Sequence, residues 1–492
     1  MNKLRKIACL LLALLTVSSA FAACSESSNT DAKETQGNAG GDEAAVTTAA
    51  EETEIVYKAT VPEGTNLDGY KYRVMVNDSS QYWADQNFVH DEENGNYIND
   101  SVLRRERAVE DILGCDIVPT PMQSVSSTTQ KFVSANEDSA DLVFISPVAS
   151  AGLVTNGTFL ELTTMEGLDL SNPWWDQNAA ADLSIANKLF MAYGDISMMY
   201  KRTMSVVCFN KDIVNNNQLT SPYELVEQDN WTTETMAALC KGVAQDLNSD
   251  GQYVIREDII GASMTPDQFP ISLIAGGNFI TTKDEDDIPQ LTFYNEKMVS
   301  HFEALTSWLF NPELATVADS GANTDSFGQG KLLFQFCEMH CIPHQRNSET
   351  DFGLLPFPKM DASQDRYYHV INPNVACAML VPVTVSNPAQ VALVAEVLGA
   401  EGKNWVTPAY YDYNLTSRDT RDEESVAMLD IIFDTTKYDV AHIYDLAGMG
   451  SQLRSVASSK TENITSVYEK IEKRLTNEIE KIVEKYTEIG EE

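Results

Sequence analysis

One stretch sets hard oxygen ligands at fixed spacing. Asp246, Asn248 and Asp250 alternate, Gly251 follows, and Glu257 closes the series. This matches the twelve-residue EF-hand loop pattern: side-chain oxygens at positions 1, 3, 5 and 12, a backbone carbonyl at Gln252, and glycine at position 6 for the turn. Such a loop wraps oxygens around a single ion and suits Ca2+ held structurally; the same residues also make a plain Asp/Asn/Gly turn. The apolar positions Met236, Leu239, Val243 and Leu247 predict a helix entering it. A second cluster, Cys337-Glu338-Met339-His340-Cys341 with His344, carries thiols and imidazoles, but its spacing fits no common zinc pattern. On a strand, Glu338 and His340 share one face and reach toward a cleft together.

A third group suits recognition of hydroxylated molecules, which calls for flat apolar faces and planar polar groups. Trp174-Trp175-Asp176 follows Asn172-Pro173 in a loop or helix start, where one indole faces a cleft or both pack inside. Trp83 lies in a polar loop after the first strand, where α/β folds bind ligands. Asp195, in Tyr193-Gly194-Asp195-Ile196-Ser197, accepts ligand hydroxyls or merely closes a turn, and Tyr200 stands ready to stack. Tyr410 and Tyr411, after Pro408, are further candidates, whereas Trp231 and Trp308 sit on helical patterns that read as core.

Composition narrows the function classes. The chain has 492 residues, 34 Lys+Arg against 73 Asp+Glu, and a net charge of −39. Nucleic-acid binding runs on cationic side chains that neutralise phosphates, so no nucleic-acid partner is expected. Adhesion to an anionic membrane surface is disfavoured for the same reason. Eight cysteines in this length make no disulfide scaffold, and buried free thiols are the default. Gly-x-Ser-x-Gly, His-Glu-x-x-His and Walker motifs are missing from the sequence.

The elements that must position these residues follow from periodicity. Lys3, Arg5 and Lys6 precede an apolar run, Ile7 to Leu15, that is too short to span a bilayer and ends at Phe21-Ala22-Ala23-Cys24. This resembles a bacterial lipoprotein signal over 1–23, with Cys24 carrying the lipid. Residues 24–66, rich in Ser, Thr, Ala and acids, read as a disordered tether. Strands are predicted at Tyr72–Val76, Cys115–Val118, Asp141–Ile145, Ser205–Phe209 and Ala376–Val381. A helix through Ile98, Val102, Val109 and Ile112 stops at Gly114. Val467, Ile471, Leu475, Ile479, Ile482 and Tyr486 predict a long amphipathic helix near the end. Strands alternating with helices predict an α/β body with mostly parallel sheet.

Several segments, in order, resemble the extracellular solute-binding lipoproteins of bacterial ABC importers, of the carbohydrate-type, family 1-like branch. They are Val206-Val207-Cys208-Phe209-Asn210-Lys211-Asp212, Trp231-Thr232-Thr233-Glu234, Phe327-Gly328-Gln329-Gly330-Lys331 and Phe352-Gly353-Leu354-Leu355-Pro356-Phe357-Pro358-Lys359. Thr407-Pro408-Ala409-Tyr410-Tyr411 and Asp422-Glu423-Glu424-Ser425 add to the likeness. The resemblance implies a two-lobed, periplasmic-binding-protein-like (type II) fold with an interlobe cleft. It places 67–205 with 328–372 in one lobe and 206–327 with 373–492 in the other. Chain crossings are expected near Thr203–Val207, Asp325–Gly330 and Asn372–Val375. It further implies a monomer tethered by lipid to the outer face of the cell membrane. This monomer captures a small solute, a sugar or oligosaccharide, by lobe closure and delivers it to a membrane permease. No catalysis and no cofactor are called for, a structural Ca2+ aside. The alternatives are an exported, lipid-anchored glycoside hydrolase and a surface adhesin.

Overall fold

The computed structural model describes residues 56–78, 88, 92–345, 348, 350–411 and 423–489. The signal segment, Cys24, most of the expected tether and Trp83 lie outside the described residues. Eleven strands are named in chain order: β1 Tyr70–Asn77, β2 Cys115–Met122, β3 Leu142–Ile145, β4 Ser205–Asn210, β5 Ile260–Met264, β6 Thr281–Lys283, β7 Pro289–Leu291, β8 Ala315–Val317, β9 Leu332–Glu338, β10 Phe352–Leu355 and β11 Ala378–Leu380.

The first sheet runs β11-β3-β1-β2. β1 lies parallel to β2, with Tyr70 opposite Cys115, and parallel to β3, with Met75 opposite Val143. Between β1 and β2 runs the helix Tyr97–Leu113, started by the Asn96 side chain and stopped by Gly114. Gly114 takes φ 65°, a left-handed conformation that glycine adopts without a Cβ penalty. The predicted strand–helix–strand unit is therefore in place.

The second sheet runs β10-β4-β9-β5-β8. β9 is its centre, antiparallel to β4 and parallel to β5. Every residue of β9 is buried, as a strand covered on both faces requires. β6 and β7 form a separate hairpin.

The pairings redraw the expected lobes. β9 and β10, expected with the first sheet in 328–372, pair with β4 of the second. β11, expected with the second, pairs with β3 of the first. The helix Pro388–Glu401 joins it there, where the Val391 carbonyl accepts the Tyr72 hydroxyl at 3.0 Å. Alternation of strands and helices announces parallel sheets but does not say which sheet a late strand enters. The chain leaves the first sheet through 199–204 and returns through 371–377, near two of the expected crossings. The third, at 325–330, is no crossing, because the helix Ser320–Gly328 feeds β9 inside one lobe. Residues 56–66, expected within the tether, lie against the first lobe. The Asn404 amide pairs with both backbone groups of Tyr57, at 2.8 Å each, and Tyr57, Ala59 and Val61 pack on the apolar core.

The C-terminal helix spans Ile464–Glu488 and buries Ile471, Leu475, Ile479, Ile482 and Tyr486, the predicted stripe apart from half-buried Val467. Tyr468 stacks on Tyr294 and the Tyr486 hydroxyl meets that of Tyr444 at 2.6 Å, which fixes the helix to the second lobe. One apolar cluster runs from Met75 and Val143 of the first sheet through the second sheet to Ile482. No helix among the described residues is long and apolar enough to cross a membrane. Among the described residues Cys115, Cys208, Cys240, Cys337, Cys341 and Cys377 form no disulfide, and all but the half-buried Cys341 are buried.

Candidate functional site

The carboxyl ends of β5, β8 and β9 lie side by side because these strands are parallel. Ligand sites in α/β sheets form at such ends. A cavity of about 120 Å3 lies here, lined by Thr265, Asp267 and Gln268 after β5, Ser320 and Asn323 after β8, and Gln335 to Glu338 of β9. His340, Cys341 and Asn372 complete it. Asn372 belongs to the crossing: its N–H donates to the Thr203 carbonyl at 3.2 Å, while Met339 N–H donates to Met204 at 2.9 Å. The next residue, Pro373, accepts Val148 N–H at 3.4 Å, from the first turn of the helix that follows β3. The carboxyl ends of both sheets thus approach the same crossing.

Glu338 joins cavity and crossing. Its Oε1 accepts the Asn372 amide at 2.9 Å and its Oε2 lies 3.2 Å from His340 Nδ1. Burial pulls the His340 pKa down, but its bonds to Cys341 and Glu338 outweigh burial and hold it at about 10. His340 is therefore an imidazolium at neutral pH, paired with a carboxylate. On the opposite wall Asp267 is raised by burial, with Arg454 3.5 Å away drawing it back.

Of the expected ligand contacts, Glu338 is in this cavity; the others described are elsewhere. Trp174 and Trp175 are both core. Trp175 Nε1 donates to Glu396 at 3.0 Å, and Trp174 lies so close to Gly399 that a Cβ there would meet its ring at 2.6 Å. Asp195 is buried and bonded to Lys201 at 3.0 Å, Lys403 at 3.2 Å and the Thr407 hydroxyl at 2.7 Å, so its carboxylate is tied to interior partners. Tyr200 packs on Tyr193 at 5.6 Å within the first crossing. Tyr410 is buried, and Tyr411 rests on Phe433 at 5.1 Å. Aromatic residues beside a proline or glycine carry no sign of whether a partner waits elsewhere in the chain, and here partners did.

The residues that sequence reasoning missed are the amides Gln268, Asn323 and Gln335. One sign was present: Gln335 interrupts an otherwise apolar run, Leu332-Leu333-Phe334-Gln335-Phe336. A buried glutamine in a central strand calls for a partner.

Within the Cys337–His344 cluster the two thiols face different partners. β9 ends at Glu338 and continues as a 3-10 turn, Met339–Gln345, so strand alternation stops there. Cys337 Sγ faces Cys208 Sγ at 3.6 Å, while Cys341 Sγ faces His340 Nε2 at 3.5 Å.

The EF-hand-like loop stands apart from the cavity. The helix expected to enter it stops at Cys240, and Leu247 is exposed. An antiparallel bridge between Gln245 and Ile259 closes the loop's base, and buried Asp258 accepts Leu247 and Val254 N–H at 2.9 and 2.8 Å. Within it, Asn248 Nδ2 donates to Asp250 at 3.3 Å and Glu257 at 3.0 Å, and Asp246 accepts Gly251 N–H at 2.7 Å. The residue types fit Ca2+, and the Asn248 amide hydrogens sit between the carboxylates where a cation's charge would act. No group of three or more His, Cys, Asp or Glu among the described residues is spaced to hold a metal ion.

No family model matches the chain, and no curated protein matches its sequence. Solved structures do resemble it. A cyclo/maltodextrin-binding protein complexed with maltotetraose superposes with a TM-score of 0.56 at 13% identity, over 88% of this chain and 100% of that one. An ABC substrate-binding protein from Listeria monocytogenes, in complex with cycloalternan, gives 0.50 at 12%, over 85% and 98%. At such identities the likeness is one of architecture: the chain has the two-lobed, periplasmic-binding-protein-like α/β fold.

Proposed function

We propose that the protein is the solute-binding component of an ABC importer, and that its solute is a sugar or oligosaccharide. The observation that carries this reading is the polar cavity at the carboxyl ends of β5, β8 and β9, set against the crossing that joins two lobes of this fold. Hydroxyl groups match such a wall of amides, hydroxyls and two paired carboxylates. The two structural neighbours, seen in complex with maltotetraose and with cycloalternan, support the same class. The mechanism needs no covalent step. Solute shifts the lobes toward closure by whatever extra affinity the closed form gives, and a membrane permease then accepts the closed shape. Export, anchoring through Cys24 and monomeric action belong to this proposal. So does a structural Ca2+ held by Asp246, Asn248, Asp250, Gln252 and Glu257, which would pin the loop leading into β5.

The test is calorimetry and thermal melting of the purified protein against a carbohydrate panel. Saturable binding that raises the melting temperature, with the sugar recovered intact, is expected. Hydrolysis of the sugar would overturn the reading in favour of a glycosidase. Removal of Ca2+ with a chelator should lower the melting temperature, and identical melting in chelator and in millimolar Ca2+ would refute the ion.

A further inference from the structure

Three amides lining the cavity are 1–3% exposed, and each has a polar atom with no protein partner: Gln268 Oε1, Gln335 Oε1 and Asn323 Nδ2. A buried amide atom left unbonded costs stability, so such atoms are rare and seldom cluster. Here the residues that carry them come from three different stretches, after β5, within β9 and on the helix following β8, and line one cavity. Asn323 is held by its other end: its Oδ1 accepts the Ser263 hydroxyl, which leaves Nδ2 aimed away from that bond. Two acceptors and one donor together match a set of hydroxyls, each of which gives one hydrogen and accepts another.

Charge narrows the class. The cavity's carboxylates, Glu338 and Asp267, face His340 in the lining and Arg454 outside it, so each carboxylate already has a cationic partner. An anionic ligand would meet two carboxylates, and a cationic one would compete with an imidazolium and a guanidinium already seated. At about 30 Å3 of liquid volume per water, the cavity has room for about four water-sized groups, the scale of a set of ring hydroxyls.

We infer that Gln268, Asn323 and Gln335 form the specificity-determining subsite of the second lobe, and that it takes one uncharged, hydroxyl-bearing ring of the solute. This rests on the solute-binding reading above and deepens it.

The test uses the purified protein with Gln335→Met and Gln268→Met, near-isosteric changes that delete the amide. The probes are neutral gluco-, manno-, xylo- and galacto-oligosaccharides beside their uronic-acid and amino-sugar counterparts. Wild type should bind a neutral probe, and each variant should bind it at least about tenfold more weakly. Without ligand, each variant should melt at or above the wild-type temperature, because an unbonded buried amide has been replaced by apolar surface; a purely structural amide would give the opposite. Wild-type affinity in both variants would overturn the subsite and leave the solute-binding reading standing. Preference for a charged probe would overturn the neutral class alone. Failure of wild type to bind any probe would overturn both.

Discussion

Trp175 donates its indole N–H to Glu396 at 3.0 Å, joining a loop of the first lobe to a helix 221 residues later. Asn172 also donates to Glu396, and Gly194 lies so close to Trp175 that a Cβ there would meet its ring at 2.8 Å. Burial raises the Glu396 carboxyl, and these donors counter it. Trp175→Ala should therefore cost about 3–5 kcal/mol of stability, the usual loss for emptying a buried aromatic site. Urea denaturation checks this; a variant that keeps wild-type stability but loses sugar affinity would return Trp175 to the binding site.

The Asp195 cluster is the second point of weakness. Burial pushes its carboxyl up, but Lys201 and Lys403 outweigh burial and hold its pKa below the ordinary aspartate value. Gly402 makes this approach possible, since a Cβ there would lie 2.0 Å from the Asp195 carbonyl. Asp195→Asn would leave Lys201 buried with a neutral partner, at a cost of about 3–5 kcal/mol. The denaturation midpoint should fall accordingly, and adding Lys201→Met should recover part of the loss. Additive losses in the double variant would show that the pair is not coupled.

Acid should weaken the fold through two buried histidines. His369 Nε2 accepts Phe357 N–H at 3.2 Å, so its Nδ1 carries the proton toward the Thr435 hydroxyl at 2.8 Å. Burial lowers His369 to about 3, and burial likewise lowers His442 to about 4. Both lie below the ordinary value of 6.5, so the unfolded chain binds the proton first. The stability is whole above pH 6.5 and is lost as pH falls toward 4 and then 3, by up to about 1.4 kcal/mol per pH unit for each histidine. Urea midpoints between pH 7 and pH 4 should show that slope, and His369→Gln should flatten it. An unchanged slope would remove His369 from the account.

What the sequence determined was whatever a few neighbouring residues decide. Tyr70–Asn77 alternates and ends in polar residues, Gly114 stops a helix, and the stripe from Ile471 to Tyr486 recurs at helical spacing. The class of fold follows from such local units, as does the oxygen pattern from Asp246 to Glu257. Tertiary structure decided what depends on distant partners. Glu396 and Lys403 turned Trp175 and Asp195 from ligand candidates into interior contacts. The central place of β9 moved a whole segment between lobes and brought Gln335 beside Gln268 and Asn323. Periodicity reports which face of an element is apolar; which element covers that face, and which polar group is left without a partner, is settled only when the sheets close.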